Sequence, residues 1–178
     1  LGLAFVPEER LGHGAVPEMS LADNALLTGY DRQELLSRGN IILARTKDYA
    51  QRIAQSFQAD SGGNGRPANS LSGGNMQKLI IGRELLQEPK VLVVAHPTWG
   101  VDAGAAAATH TALLDLAGQS TAILVVSQDL DELLQISDRI AVLSRGQLSE
   151  CMVTADADVA RIGLLMGGQG DGHGTQTM

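Results

Sequence analysis

The sequence predicts an α/β domain: a mostly parallel sheet flanked by helices, with a helical subdomain inserted ahead of its second half. Three observations carry this expectation. After Pro89, short apolar runs alternate with helical stretches in the order β-α-β-α-β, the spacing of parallel strands joined by crossover helices. Between Leu21 and Phe57 the apolar residues recur at helical rather than strand spacing. A chain of 178 residues, 44% of them hydrophobic, also has enough apolar matter for one domain that buries roughly two thirds of its surface.

Taken in order, Leu3-Ala4-Phe5-Val6 reads as a buried strand stopped by Pro7. Ser20 is placed to cap a helix from Leu21 to Thr28. A second helix, Thr46 to Phe57, sets Tyr49, Ile53 and Phe57 on one stripe with Ala50 and Ala54 beside it. A Ser/Gly/Asn/Pro cluster makes Asp60 to Ser70 a loop. The helix expected from Asn75 to Gln87 carries Met76, Leu79, Ile80, Leu85 and Leu86 and is stopped by Pro89. Then come strand Val91 to Ala95, helix Ala103 to Leu116 closed by Gly118, strand Thr121 to Val126, helix Asp129 to Ile136 and strand Arg139 to Leu143. A Ser-Arg-Gly-Gln turn leads into Leu148. From Gly167 the tail has nothing apolar to bury and is expected to be disordered. The expected division is 1–10 for the first piece of the sheet core, 11–88 for the helical subdomain, 89–166 for the rest of the core and 167–178 for the tail.

Composition narrows the function classes. Thirteen Lys and Arg against twenty Asp and Glu give a net charge of −7, and the basic residues are scattered, so a nucleic-acid grip is not expected. The single cysteine, Cys151, excludes an internal disulfide and suits a reducing compartment. No run approaches the roughly 18 apolar residues of a membrane span.

Residues 70 to 78, Ser-Leu-Ser-Gly-Gly-Asn-Met-Gln-Lys, carry the chemistry. A helix N-terminus leaves several amides without internal acceptors and holds about half a positive charge, which favours an anion. Ser72 caps the helix or gives its hydroxyl to the anion, and Gly73 and Gly74 have no Cβ to hold a ligand away from the backbone. The plain alternative is an ordinary capped helix with a flexible lead-in. The opposing phosphate cradle, Gly-x-x-x-x-Gly-Lys-Ser/Thr, is not present: Lys47, Lys78 and Lys90 are the only lysines and none follows a glycine. That loop is expected upstream of Leu1, with this chain a piece of a longer domain.

Leu71-Ser72-Gly73-Gly74-Asn75 resembles the signature motif of the ABC transporter ATPases, and the resemblance continues through Val91 to Thr98 and Gly100-Val101-Asp102 into the second apolar strand. It implies a P-loop NTPase-like fold lacking its N-terminal P-loop part, with ATP and Mg²⁺ as the cofactors. The family's usual strand ends in Asp-Glu before Pro-Thr, the Asp holding Mg²⁺ through water and the Glu orienting the attacking water. Here those positions are Ala95 and His96. His96 reads either as a general base, since an unperturbed imidazole titrates near neutrality, or as a polar loop residue filling space. Where the family carries a γ-phosphate histidine, this chain has Gln128, and where it carries a glutamine after the first strand, it has Glu8. Singly these read as a helix-opening polar residue and a surface carboxylate; together they imply a cleft without catalytic residues or metal of its own.

ABC domains resemble one another in pairing head to tail, so the resemblance implies that Leu71 to Asn75 complete an ATP site whose nucleotide and Mg²⁺ are held mainly by a partner domain. Gly100, Val101 and Asp102 would lie at the pair interface, while Asp102 also reads as the N-cap of the Ala-rich helix. From Leu1 to about Leu165 the chain is most similar to the second ABC domain of importers of nucleosides and simple sugars, the nucleoside branch more than the sugar branch. That implies as partners an N-terminal ABC domain of the same polypeptide, two membrane permease subunits and, indirectly, an extracytoplasmic substrate-binding protein. It places the protein at the cytoplasmic face of the membrane, with 11–87 toward the permease. Trp99 and Met76 depart from the usual Arg and Gln, and the tryptophan reads equally as packing or as a stacking ring. The competing classes are a soluble ABC ATPase of translation or DNA repair, disfavoured by the acidic balance, and a structural or regulatory domain that binds nucleotide without assisting hydrolysis.

Overall fold

Three apolar runs, 3–6, 91–95 and 122–126, assemble into one parallel sheet in that order. A computed structural model describes residues 2–59, 63 and 65–168, so Leu1, most of the glycine-rich loop's tip and the expected disordered tail beyond Gly168 lie outside the described residues. The chain divides into two units, Leu1–Gln128 and Asp129–Met178.

In the first unit, β1 (Leu3–Val6), β4 (Val91–Ala95) and β5 (Ala122–Val126) pair in register, Leu3 opposite Val91 and Val91 opposite Ala122. Alternation along each strand sends Ala4, Val6, Leu92 and Val94 into the core and leaves Leu3, Phe5, Leu124 and Val126 exposed on the opposite face. Between β1 and β4 lie α1 (Leu21–Gly29), a short hairpin of β2 (Leu36–Ser37) and β3 (Asn40–Ile41), α2 (Leu43–Ser56) and α3 (Gly73–Leu85). Ser20 caps α1 by accepting from the Asp23 amide at 3.1 Å, as its place in the sequence predicts. In α2, Tyr49, Ala50, Ile53 and Phe57 are buried, the stripe read from the sequence. After β4 comes α4 (Ala103–Gly118), which extends through Gly118 instead of closing before it.

Helix α3 differs from expectation in kind. It starts two residues earlier, at Gly73, and from Met76 to Leu85 every residue but the half-buried Lys78 is buried, Arg83 and Glu84 included. Arg83 and Glu84, 4% and 3% exposed, form an ion pair at 2.7 Å. Arg83 also donates to the Asn24 and Gly14 carbonyls, while Glu84 accepts from Thr28 and Gln87. The Tyr49 hydroxyl donates to the Arg83 carbonyl, which also receives Gln87. Every buried polar group in this network has a partner, the condition under which such groups are tolerated inside a core. Gly82 allows the close approach of α2, because a Cβ there would stand 2.5 Å from the Phe57 ring.

The second unit contains α5 (Leu130–Ile136, capped by Asp129), strands β6 (Arg139–Ile140), β7 (Leu143–Ser144), β8 (Gln147–Leu148) and β9 (Met152–Val153), and α6 (Val159–Met166). The expected parallel strand Arg139 to Leu143 is corrected here. Among the described residues it splits into β6 and β7, which pair antiparallel with β9 and β8. The cause is local. Arg145 and Gly146 both take positive φ, 51° and 78°, the geometry of a two-residue hairpin turn, so 143–144 folds straight back on 147–148.

Two stability outcomes follow from the α3 network. Burial, then the nearby Glu84 carboxylate, raises the Tyr49 pKa, so the folded state keeps the phenol neutral while the unfolded state ionises near pH 10. Its contribution is therefore complete below about pH 10 and is lost as the pH climbs through the folded value. Thermal denaturation of Tyr49→Phe in the full-length protein should show a loss of about 1 kcal/mol at pH 7 and a weaker decline above pH 10 than wild type. Arg83→Met strands Glu84 without its cation and should cost about 3–5 kcal/mol by denaturant titration, whereas Arg83→Met with Glu84→Leu should recover most of that loss.

Candidate functional site

The site is built where three segments of the first unit meet: the loop after β1, the N-terminus of α3 and the turn after β4. Ser72 takes extended backbone and accepts from the Asn75 amide at 3.3 Å, so the helix opens at Gly73 with its first amides beyond reach of any intrahelical acceptor. Ser72 and Gly73 are exposed, and Leu71, Gly74 and Asn75 half-buried. The five residues of the motif thus present a capped, accessible helix N-terminus.

The turn after β4 is shaped by His96, whose φ of +47° ends the strand, while its amide still bonds to Val126 of β5 at 2.8 Å. His96 is 8% exposed; its ring meets Trp99 edge-on at 5.2 Å, and its Nε2 stands 3.8 Å from Glu8 Oε1. That last contact is an ion pair only when the imidazole is protonated. Trp99, 57% exposed, thus packs edge to face with His96 at the rim. Gly100, at φ +66°, makes a turn that a side chain would strain.

Arg10 joins these parts, and the sequence reading did not single it out. Its Nε donates to Gln77 Oε1 at 3.0 Å and its Nη2 to the Trp99 carbonyl. Gln77, 2% exposed on α3, passes its own amide to the His96 and Pro97 carbonyls at 3.2 and 3.3 Å. Glu8, Arg10, Leu71, Gly73, Gln77, His96 and Trp99 line one cavity of about 760 Å³. The glycines have a packing reason beside the ligand-approach reason read from sequence. A Cβ on Gly73 would stand 2.8 Å from Arg10 Nη1, and one on Gly74 would stand 3.1 Å from the Gly100 carbonyl oxygen. The signal available in the sequence was Gln77 beside Met76, Ile80 and Ile81, a polar side chain that demands a polar partner once buried.

Other expected site residues fall differently. Ala95 ends β4 half-buried and Gln128 lies exposed two residues past β5; neither lines the cavity. Asp102 caps α4, accepting from the Ala105 amide at 2.9 Å, and receives Lys78 of α3 at 3.1 Å. The Ala105 amide first, then Lys78, holds its carboxyl below the usual range. This contribution is present above the ordinary aspartate pKa and is lost as the pH falls through the folded value.

ATP and Mg²⁺, the groups the fold implies, meet this site unequally. Ser72 and the open amides of α3 are donors suited to phosphate oxygens. Mg²⁺ does not fit: Ala95 offers no carboxylate, Glu8 faces His96, and among the described residues no group of three or more His, Cys, Asp and Glu side chains is placed to hold a metal.

No protein-family model matches the chain. Curated proteins do. The glucose import ATP-binding protein TsgD13 of Haloferax volcanii is 35% identical over 176 residues, 98% of this chain and 32% of that protein. The nucleoside import ATP-binding protein NupA of Lactococcus lactis is 37% identical over 166 residues, 93% and 33% of the two chains. A ribose/galactose/methyl galactoside import ATP-binding protein of Agrobacterium fabrum is 37% identical over 168 residues, 94% and 33%. The chain thus spans about a third of the length of the relatives it matches. Among solved structures, a dimeric ATP-binding cassette in a post-hydrolysis state bound to ADP and Pi superposes with a TM-score of 0.70 at 21% identity, covering 85% of this chain and 62% of that one. An ATP-binding subunit of an ABC transporter gives 0.72 at 18% identity, covering 93% and 68%.

The doubled role of Asp102 sets an expectation. Asp102→Asn retains a cap and loses the charge attraction to Lys78, whereas Asp102→Ala loses both, so the melting temperature of the full-length protein should fall in the order wild type, Asn, Ala. Only the wild-type curve should lose this increment on acidification below the aspartate range.

Proposed function

The chain belongs to the ABC ATPase family, and from that premise we propose that it is the second nucleotide-binding domain of an importer's ATP-binding subunit, lending its signature helix to a partner domain while its own cleft does no chemistry. The observation that supports this reading is the contrast inside one node. The helix N-terminus at 71–75 is capped, accessible and braced, whereas the strand end beside it carries Ala95 and His96 in place of two carboxylates.

In this reading Ser72 and the amides of Gly73 and Gly74 donate to the terminal phosphate of a nucleotide seated in the partner domain. That domain, which we place upstream in the same polypeptide, contributes the phosphate-cradling loop and most of the Mg²⁺ ligation. ATP supplies phosphoryl transfer to water; the residues of this chain orient the phosphate and offset charge that develops on it. The turn at Gly100, Val101 and Asp102 meets the partner at the same interface. Closure of the pair passes to two permease subunits, which hold the protein at the cytoplasmic face of the membrane. Among the described residues no helix is long and apolar enough to cross a membrane. An external binding protein delivers the cargo. Nucleosides are the cargo we favour, since relatives of comparable identity include nucleoside and guanosine importers. Ribose and xylose importers of similar identity support simple sugars as the second reading.

The test is Ser72→Arg in the full-length protein assembled with its permeases. ATPase activity should fall about a hundredfold or more, the scale of losing preorganised donors. An unchanged rate would leave only a scaffold role. The 178-residue chain by itself should show no Mg²⁺-dependent ATP turnover, and measurable turnover would overturn the stripped cleft. Uptake of labelled uridine against labelled ribose in reconstituted vesicles decides between the two cargo classes.

A further inference from the structure

We infer that Arg10 is a positioning residue for the lent phosphate site, a planar clamp that fixes the N-terminus of α3 against the Trp99–Gly100 turn. This deepens the composite-site reading above and rests on it.

A helix that opens with two glycines gains accessible amides and loses definition, because neither residue has a side chain to hold its backbone. Catalytic donors are useful only when held within about half an ångström of the productive geometry. Something must therefore supply the constraint that Gly73 and Gly74 lack. Arg10 occupies that place. Its Nη1 fills the space a Gly73 Cβ would enter, its Nε is bonded to Gln77 one turn along the helix, and its Nη2 is bonded to the Trp99 carbonyl. A guanidinium presents donors in a rigid plane, so its two hydrogen bonds also set where Nη1 lies. Gly100 belongs to the same fit, since a Cβ there would come within 3.2 Å of Nη2.

The clamp is itself anchored. The loop that carries Arg10 closes on itself through the Ala15 amide to the Arg10 carbonyl at 2.7 Å. A few residues on, Gly14 lies against Ile80, and its carbonyl accepts from buried Arg83 at 2.9 Å. Gln77, Ile80 and Arg83 follow one another at three-residue steps along α3, so the loop is seated along a single face of the helix whose tip it holds.

The experiment is a double-mutant cycle in the full-length protein assembled with its permeases, reading ATP turnover and melting temperature for Arg10→Ala, Arg10→Lys, Gly73→Ala and the Arg10→Ala, Gly73→Ala pair. Arg10→Ala and Arg10→Lys should each lower kcat about ten- to a hundredfold, since lysine keeps the charge but not the fork. Melting temperature should fall by no more than about 4 °C. Gly73→Ala should be damaging in the wild-type background, where its methyl meets Nη1, and should add less than about twofold once Arg10 is alanine, by the same coupling argument. Full activity in Arg10→Lys, a Gly73→Ala penalty of equal size in both backgrounds, or loss of turnover only in step with loss of folding would each overturn the clamp. If Arg10→Ala does not fold, the lysine variant and Arg10→Gln in the same cycle decide. Ser72→Arg, measured alongside, separates the two readings: inactive Ser72→Arg with normal Arg10 variants removes the clamp alone, whereas active Ser72→Arg removes the composite site and the clamp with it.

Discussion

The buried Arg83–Glu84 pair is the interaction on which the rest of the first unit depends, because it anchors α3 at the end opposite its open amides. Two charges taken out of water are destabilising unless their remaining hydrogen-bonding capacity is used, and here Asn24, Gly14, Thr28 and Gln87 use it. Those partners come from α1, from the loop after β1 and from the turn that follows α3. One polar network thus fixes the helical segments and the loop against the same helix.

A rigid α3 makes the other end useful. Its capped N-terminus is accessible while the body of the helix is enclosed, so the amides at Gly73 and Gly74 are open at the end of a helix anchored in the core. The neighbouring strand end is held by the same helix through Gln77, which bonds to the His96 and Pro97 carbonyls. The capped tip of α3 and the turn at His96 are therefore tied to one helix. Across the cavity mouth Glu8 Oε1 stands 3.8 Å from His96 Nε2, so that carboxylate faces an imidazole.

Much of this was legible before any coordinates. The apolar runs of β1, β4 and β5, the stripe of α2 and the caps at Ser20, Ser72 and Asp102 all follow from local rules, because each depends on residues within one or two turns. The segment 139–143 failed for a different reason. Its apolar run is equally consistent with a long-range parallel strand and a local hairpin, and the Arg145–Gly146 turn selects the hairpin. Arg10 was missed because its partners, Gln77 and Trp99, lie 67 and 89 residues away.

By itself the sequence determined most of the element types, the cap at Ser72 and the absence of a carboxylate at Ala95 and His96, since these are properties of residue identity and short spacing. Only the tertiary structure decided that an arginine from the loop after β1 lies against Gly73 and Gly100, and that Gly74 faces the Gly100 carbonyl. Steric complementarity and buried hydrogen bonds join residues far apart in the chain, and no local pattern records which of them will meet.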